Sequence, residues 1–194
     1  YYSTNVLQNA GMSSSLLSIA NIIGIPITLI IPVIAAKIGN RNIVWVGSVF
    51  GVLGNIGIYF FKFNNIAVIA CAVIASVGTA FVNGIIYVMC AESIDYGEWK
   101  SGVNTAGTLS AVNGFIGKVG MAIASSIGAA LLQFGGFDAN LAVQTTTAQS
   151  YITAMYIWVP IVMNIATIIT MMFYDLDKIY PQIVKELDER RANA

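Results

Sequence analysis

The sequence contains no histidine. That removes imidazole metal ligation and imidazole acid–base chemistry. Charge is scarce: Asp, Glu, Lys and Arg make up 9% of the chain, against about 25% in a soluble domain. Nine basic and nine acidic residues cancel, so no nucleic-acid partner or strongly acidic partner is indicated. The two cysteines, Cys71 and Cys90, fall on one predicted helix. They lie ~28 Å apart along it, beyond disulfide reach, and read as small buried hydrophobes. There is no cluster of in-membrane acids and no serine–base pair, which argues against an enzyme. No soluble ligand-binding domain supports a receptor. The chain opens Tyr1-Tyr2-Ser3, without an initiator methionine or a signal-peptide pattern, and is expected to be a piece of a longer protein.

What is present is hydrocarbon. Apolar residues make up 57% of the sequence and the mean hydropathy is +0.78, which predicts an all-α, polytopic membrane protein. Residues 1–10 are too short to span and read as the end of a preceding helix or an outer loop. Residues 11–174 form the membrane bundle, with spans at about 12–36, 43–61, 66–91, 107–133 and 151–174. Pro26 and Pro32 lie inside the first span and Pro160 inside the fifth, where neighbouring helices must accommodate kinks. Polar residues recur at helical spacing: Ser14, Ser18, Asn21 and Thr28 on the first span, Ser76, Thr79, Asn83 and Tyr87 on the third. Residues 175–194 are a charged tail. Pro181 suits a first helical turn there, and Tyr180, Val184 and Leu187 form an apolar stripe, so the tail reads as an amphipathic helix at the membrane surface.

Alternate loops share a side of the membrane. Lys37, Arg41, Lys100, Lys178, Lys185, Arg190 and Arg191 fall on one side and only Lys62 on the other, which puts the seven, and the C-terminus, in the cytoplasm. The loop 134–150 carries no Lys or Arg and lies outside.

The ninth basic residue is Lys118. In a helix from Gly107 to Gln133, ~40 Å long, it lies roughly 16 Å in, near the bilayer midplane. A cation there costs from about 3 to over 10 kcal/mol unless it faces protein or water. Gly107, Ala111, Gly114, Ala122, Ser125 and Ala129 share its face, while Leu109, Val112, Phe115, Ile116, Val119, Ile123 and Ile127 lie opposite. A small-residue face allows close helix approach or leaves open volume. Five spans plus a stub make a six-helix unit, the building block of major facilitator transporters, which hold substrate near the midplane between two halves.

The run Glu92, Asp95-Tyr96-Gly97-Glu98-Trp99-Lys100, Gly102-Val103-Asn104, then Phe115-Ile116-Gly117-Lys118, resembles the glycoside–pentoside–hexuronide:cation symporters, the melibiose permease type. The tail Leu176-Asp177-Lys178-Ile179-Tyr180-Pro181 with Glu186-Leu187 is similar to the family as well. The resemblance covers most of the chain. It implies the C-terminal six-helix half of a major facilitator superfamily transporter, five full spans plus the end of a sixth. It also implies uptake of a sugar with Na⁺, or H⁺ or Li⁺, by alternating access, with no further cofactor. The implied partners are the sugar, the lipid bilayer and an N-terminal six-helix half that holds most of the cation site. No metal site is expected in this piece. The implied location is the plasma (inner) membrane. Two positions depart from the family: Asn104 stands where Arg is common, and Asn83 stands where the melibiose type has tryptophan, which leaves the sugar open.

The candidate substrate and cation-coupling residues are Lys118, Asn83, Tyr87, Asn113 and Gly114. Glu92, Asp95, Tyr96, Gly97, Glu98 and Lys100 read as a charged loop that forms a cytoplasmic gate by pairing with basic residues of the other half. Each has a blander reading: Lys118 as a packing charge, the acids as a solvated loop, the third-span stripe as interhelical hydrogen bonding. Asn21, Thr28, Asn164 and Thr167 lie on faces that are weaker candidates for cargo contact and read more often as packing. The alternative cargo for the same fold is a lysolipid or a small organic acid.

Overall fold

The structure is a computed structural model that describes residues 1–7, 11–62, 64–141 and 143–192. Parts of four expected segments lie outside the described residues: Gln8–Ala10 in the first, Phe63 in the second turn, Ala142 in the long loop, and Asn193 and Ala194 in the tail. Among the described residues there are helices and no strand. They are α1 (Tyr2–Asn5), α2 (Gly11–Ile38), α3 (Asn40–Phe60), α4 (Asn65–Ser101), α5 (Ala106–Phe134), α6 (Thr146–Thr153), a π turn (Ala154–Trp158), α7 (Val159–Met172) and α8 (Leu176–Ala192). Five units are long and apolar enough to cross a membrane: α2, α3, α4, α5 and the continuous α6–α7 rod. The all-α membrane class expected from composition is the class observed.

Several boundaries differ from expectation. Pro181, expected in the first turn of the tail helix, lies inside α8, which starts at Leu176. Two differences are larger. The stretch Glu92–Lys100 is no loop: α4 runs on through it to Ser101. Charge ends a hydropathic span but does not end a helix. The stop is Gly102, which takes the left-handed conformation at φ 72° that glycine adopts without strain and passes its N–H to the carbonyl of Glu98. The last rod also starts earlier, at Thr146 rather than residue 151. The Thr145 hydroxyl accepts from the N–H of Ala148 and caps the helix. Asn64 caps α4 in the same way, its side-chain oxygen accepting from Ile66 and Ala67.

α3 lies against α4 along small residues. A methyl added to Gly54 would sit 2.5 Å from the backbone nitrogen of Ala75, so only glycine permits this approach. α2 packs on the other side of α4, and α7 packs on α3. Apolar side chains close the bundle at two levels. One cluster holds Tyr2, Leu16, Ile58, Ile152 and Ile157, and the other holds Ile31, Ile43, Val44 and Ile85. α2 stays continuous through Pro26 and Pro32. The π turn lies just ahead of Pro160, whose missing N–H breaks the regular ladder upstream of it. α5 differs from the rest: it meets α6 and α4 sparsely, and every residue from 110 to 127 is exposed.

Candidate functional site

Between the two apolar clusters, α2 and α4 part to form a cleft of about 560 Å³. Its walls match in register. α2 supplies Asn21, Gly24, Ile25 and Thr28, and α4 supplies Ser76, Thr79, Ala80 and Asn83. Each set follows the spacing i, i+3, i+4, i+7, one helical face. Gly24 and Thr79 fall at the middle of the apolar stretches 12–36 and 66–91, so the cleft lies at mid-depth. The small residues open it and the polar ones line it. Among the described residues, the Asn83 amide and the Ser76 hydroxyl make no hydrogen bond. Asn21 donates only to its own helix, to the carbonyl of Leu17 at 2.9 Å, which leaves its amide oxygen open. Thr28 and Thr79 also spend their hydroxyl protons within the helix, at 2.8 and 3.0 Å. Pro32 has no N–H, so the carbonyl of Thr28 loses its usual intrahelical donor. The groove thus offers free amides, hydroxyl lone pairs and a backbone carbonyl at a depth where lipid would satisfy none of them.

At one end of the bundle lies a polar layer built from the α2–α3 turn, the last turns of α4, and α8. Gly39 turns the chain at φ 82°, and a side chain there would strike the Asp177 carboxylate. Asp177 accepts from the N–H of Arg41 at 2.9 Å, and the Arg41 guanidinium lies over the Trp45 ring. Glu92 is buried and accepts from the Asn40 amide at 2.5 Å and the Tyr174 hydroxyl at 3.2 Å. Tyr180 donates to Asp95 at 2.9 Å. Burial, and then that carboxylate, push its phenol up to about 12. The Trp99 indole donates to Glu186 at 2.6 Å. This bond, followed by that of Gln182, holds Glu186 below the usual carboxylate range. Arg190 donates to the Trp99 carbonyl at 3.0 Å near the α4 C-terminus, a favourable place for a cation. Arg191 pairs with Glu98 at 3.0 Å and with Asp95 at 3.8 Å. Lys100 lies over Tyr96. Gly97 lets the chain fold back, since a methyl there would lie 2.5 Å from the Thr105 hydroxyl. Of the acids expected to pair with another half, Asp95 and Glu98 therefore meet this chain's own tail, and Glu92 meets Asn40 and Tyr174. Ile183 and Leu187 are the buried anchors of α8, with Tyr180 and Val184 half-buried beside them. The expected stripe lacked Ile183, which stands three residues after Tyr180 and was legible by spacing.

The expected coupling residues do not gather in one place. Asn83 is a groove wall, and Tyr87, one turn further along α4, is 73% exposed and is not. Lys118, Asn113 and Gly114 ride on the exposed stretch of α5, away from the groove walls. Lys118 makes no hydrogen bond or ion pair among the described residues. Asn164 packs against Gly51 as expected of a packing residue. Asn21 and Thr28, the weaker candidates, are groove walls. The signal that finds them is the shared i, i+3, i+4, i+7 pattern of α2 and α4, visible only when the two helices are compared.

A profile of the family described as MFS/sugar transport protein matches residues 1–178. The chain belongs to that family. The resemblance drawn from the Glu92–Lys118 run is borne out at this level. Among curated relatives, an isoprimeverose transporter of Lactiplantibacillus pentosus is 34% identical over 99% of this chain and 40% of that protein. A putative 2,3-dihydroxypropane-1-sulfonate exporter of Escherichia coli K12 is 29% identical over 85% of this chain and 36% of that protein. A glucuronide carrier protein homolog of the same organism is 29% identical over 98% of this chain and 42% of that protein. The chain therefore spans about two fifths of the length of these relatives. Its relatives are transporters and carriers rather than enzymes, and with five membrane-capable helices it is an integral membrane protein.

Proposed function

We propose that this chain is the C-terminal six-helix half of a cation-coupled symporter importing a glycoside, pentoside or hexuronide by alternating access. The observation that carries this reading is the mid-depth groove on matching faces of α2 and α4, where the Asn83 amide, the Ser76 hydroxyl and the Asn21 amide oxygen are unengaged. A sugar needs many donors and acceptors on a shaped wall, and asparagine supplies both. Asn21, Thr28, Ser76 and Asn83 contact the cargo. Lys118, on α5, is the fixed cation of the coupling device. Na⁺, or H⁺ or Li⁺, is held mainly by carboxylates of the N-terminal half, and occupancy of that site releases or captures the lysine, linking ion to conformation. The polar end layer is cytoplasmic, because seven of the nine basic residues lie in the elements that build it or in the turns beside it. Its acids gate the inner side with the tail as one of their partners, and the membrane is the plasma (inner) membrane.

The relative that is a putative sulfonate exporter favours a second reading, a small organic acid as cargo, with Lys118 facing the anionic group. Vesicles containing the full-length transporter separate the two. Isoprimeverose or methyl glucuronide is expected to drive Na⁺ uptake or internal acidification. Lys118→Ala is expected to exchange the sugar but not to accumulate it against a gradient. Ion entry evoked by 2,3-dihydroxypropane-1-sulfonate and by neither sugar would establish the second reading, and accumulation by Lys118→Ala equal to the parent would refute the coupling role.

A further inference from the structure

We propose that the groove continues into an outer subsite that takes the second ring, or the aglycone, of a two-ring glycoside, with Tyr156 and Asn55 selecting for it. This deepens the sugar reading and rests on it. A second cleft of about 490 Å³ adjoins the first and shares two of its walls, Ser76 and Thr79. Its further walls include the stub Tyr1–Ser3, Ser13 near the start of α2, Asn55 near the end of α3, and Met155 and Tyr156 of the π turn. These all lie toward the end of the bundle away from the polar layer of Glu92 and α8. Each cleft falls within the roughly 300–1,000 Å³ typical of small-molecule sites, so inner and outer spaces can each hold one ring.

The outer walls have a different chemistry from the inner ones. The inner groove has amides and hydroxyls and no aromatic ring. The outer cleft has aromatic walls, Tyr2 and Tyr156, which stack with centroids 4.5 Å apart and planes 11° apart; the stack fixes the Tyr156 ring and covers one of its faces, so the other face is the plate a ligand would use. The π turn sets the register that places Met155 and Tyr156 in the wall, and π turns recur at functional sites. Beside the plate, Asn55 donates to the carbonyl of its own helix at Gly51 at 2.7 Å, which leaves its amide oxygen to accept. The Ser13 hydroxyl has no partner among the described residues. A pyranose presents an apolar C–H face and a rim of hydroxyls, and a plate flanked by an acceptor and a hydroxyl matches both. A phenyl aglycone uses the plate alone.

The test uses the full-length transporter and pairs of one-ring and two-ring probes: methyl α-xyloside against isoprimeverose, which is a xylosyl-glucose, and methyl against phenyl β-glucuronide. Affinities are read by competition in vesicles. Tyr156→Leu is expected to weaken the two-ring member of the bound pair about tenfold, while the one-ring member stays within about twofold. Asn55→Ala does the same to isoprimeverose and spares the phenyl glucuronide, and Tyr156→Phe keeps the plate and the parental preference. Asn55→Ala removes only a bond within its own helix, so it carries the test if Tyr156→Leu does not fold. For Tyr156→Leu on a pair the parent binds, or Asn55→Ala on the xyloside–isoprimeverose pair, equal weakening of both members, or of neither, overturns the subsite alone. A parent that binds no member of either pair overturns the sugar reading and the subsite with it.

Discussion

Glu92 shows how much one side chain can hold in a helix bundle. Its carboxylate joins three elements, taking the Asn40 amide at the head of α3 and the Tyr174 hydroxyl after α7 while itself riding on α4. Asn40 is 3% exposed and the accepting Glu92 9%, so the Asn40 amide has no water to fall back on, while the other donor, Tyr174, is half-buried. Leaving a buried donor unpaired costs about 1–3 kcal/mol. Glu92→Leu is therefore expected to lower the thermal unfolding midpoint in detergent by roughly 5 °C or more, and Glu92→Gln, whose amide oxygen still accepts, by clearly less. Equal midpoints for Glu92→Leu and the parent would show that the cluster holds nothing together. The sequence marked Glu92 as chemically important but did not reveal its partners within this chain, because Asn40 and Tyr174 stand 52 and 82 positions away along it.

At the level of elements, the five apolar rods were legible because hydropathy reports length and composition directly. Helix ends were less so. The charged run ending at Lys100 looked like a loop, yet no residue before Gly102 stops a helix. The seat of α8 was half legible: its amphipathic stripe points to docking, but its polar contacts join residues more than 80 positions apart. Those contacts give the docking a pH window. Glu186 lies below its ordinary value of 4.5, so its contribution is complete above that value and is lost as the pH falls through the lowered one. Tyr180 is raised from 10.0 to about 12, so its contribution is complete below 10.0 and is lost as the pH rises toward 12. With Trp45 and Trp158 replaced by Phe, Trp99 emission reports the docking. It is expected to stay flat between about pH 5 and 10 and to shift on either side. A steady drift across that plateau would contradict the docking described.

For the whole molecule, the physics turns on what covers polar groups inside a membrane. α5 is exposed along residues 110–127 and carries Lys118 there, while its relatives are more than twice as long as this chain. In the proposed transporter, the other half covers that lysine and closes the groove between α2 and α4. The central claim is that this groove is a wet chamber for cargo rather than a seam filled by lipid. Thr79 is the position to probe it, since its hydroxyl already bonds within its own helix and a thiol there disturbs the walls least. In the full-length transporter, with Cys71 and Cys90 replaced by alanine, Thr79→Cys is exposed to a membrane-impermeant thiol reagent with and without transported sugar. The account predicts labelling from the aqueous phase that the sugar slows. A thiol inert to that reagent but labelled by a lipid-soluble maleimide, with no effect of sugar, would contradict it.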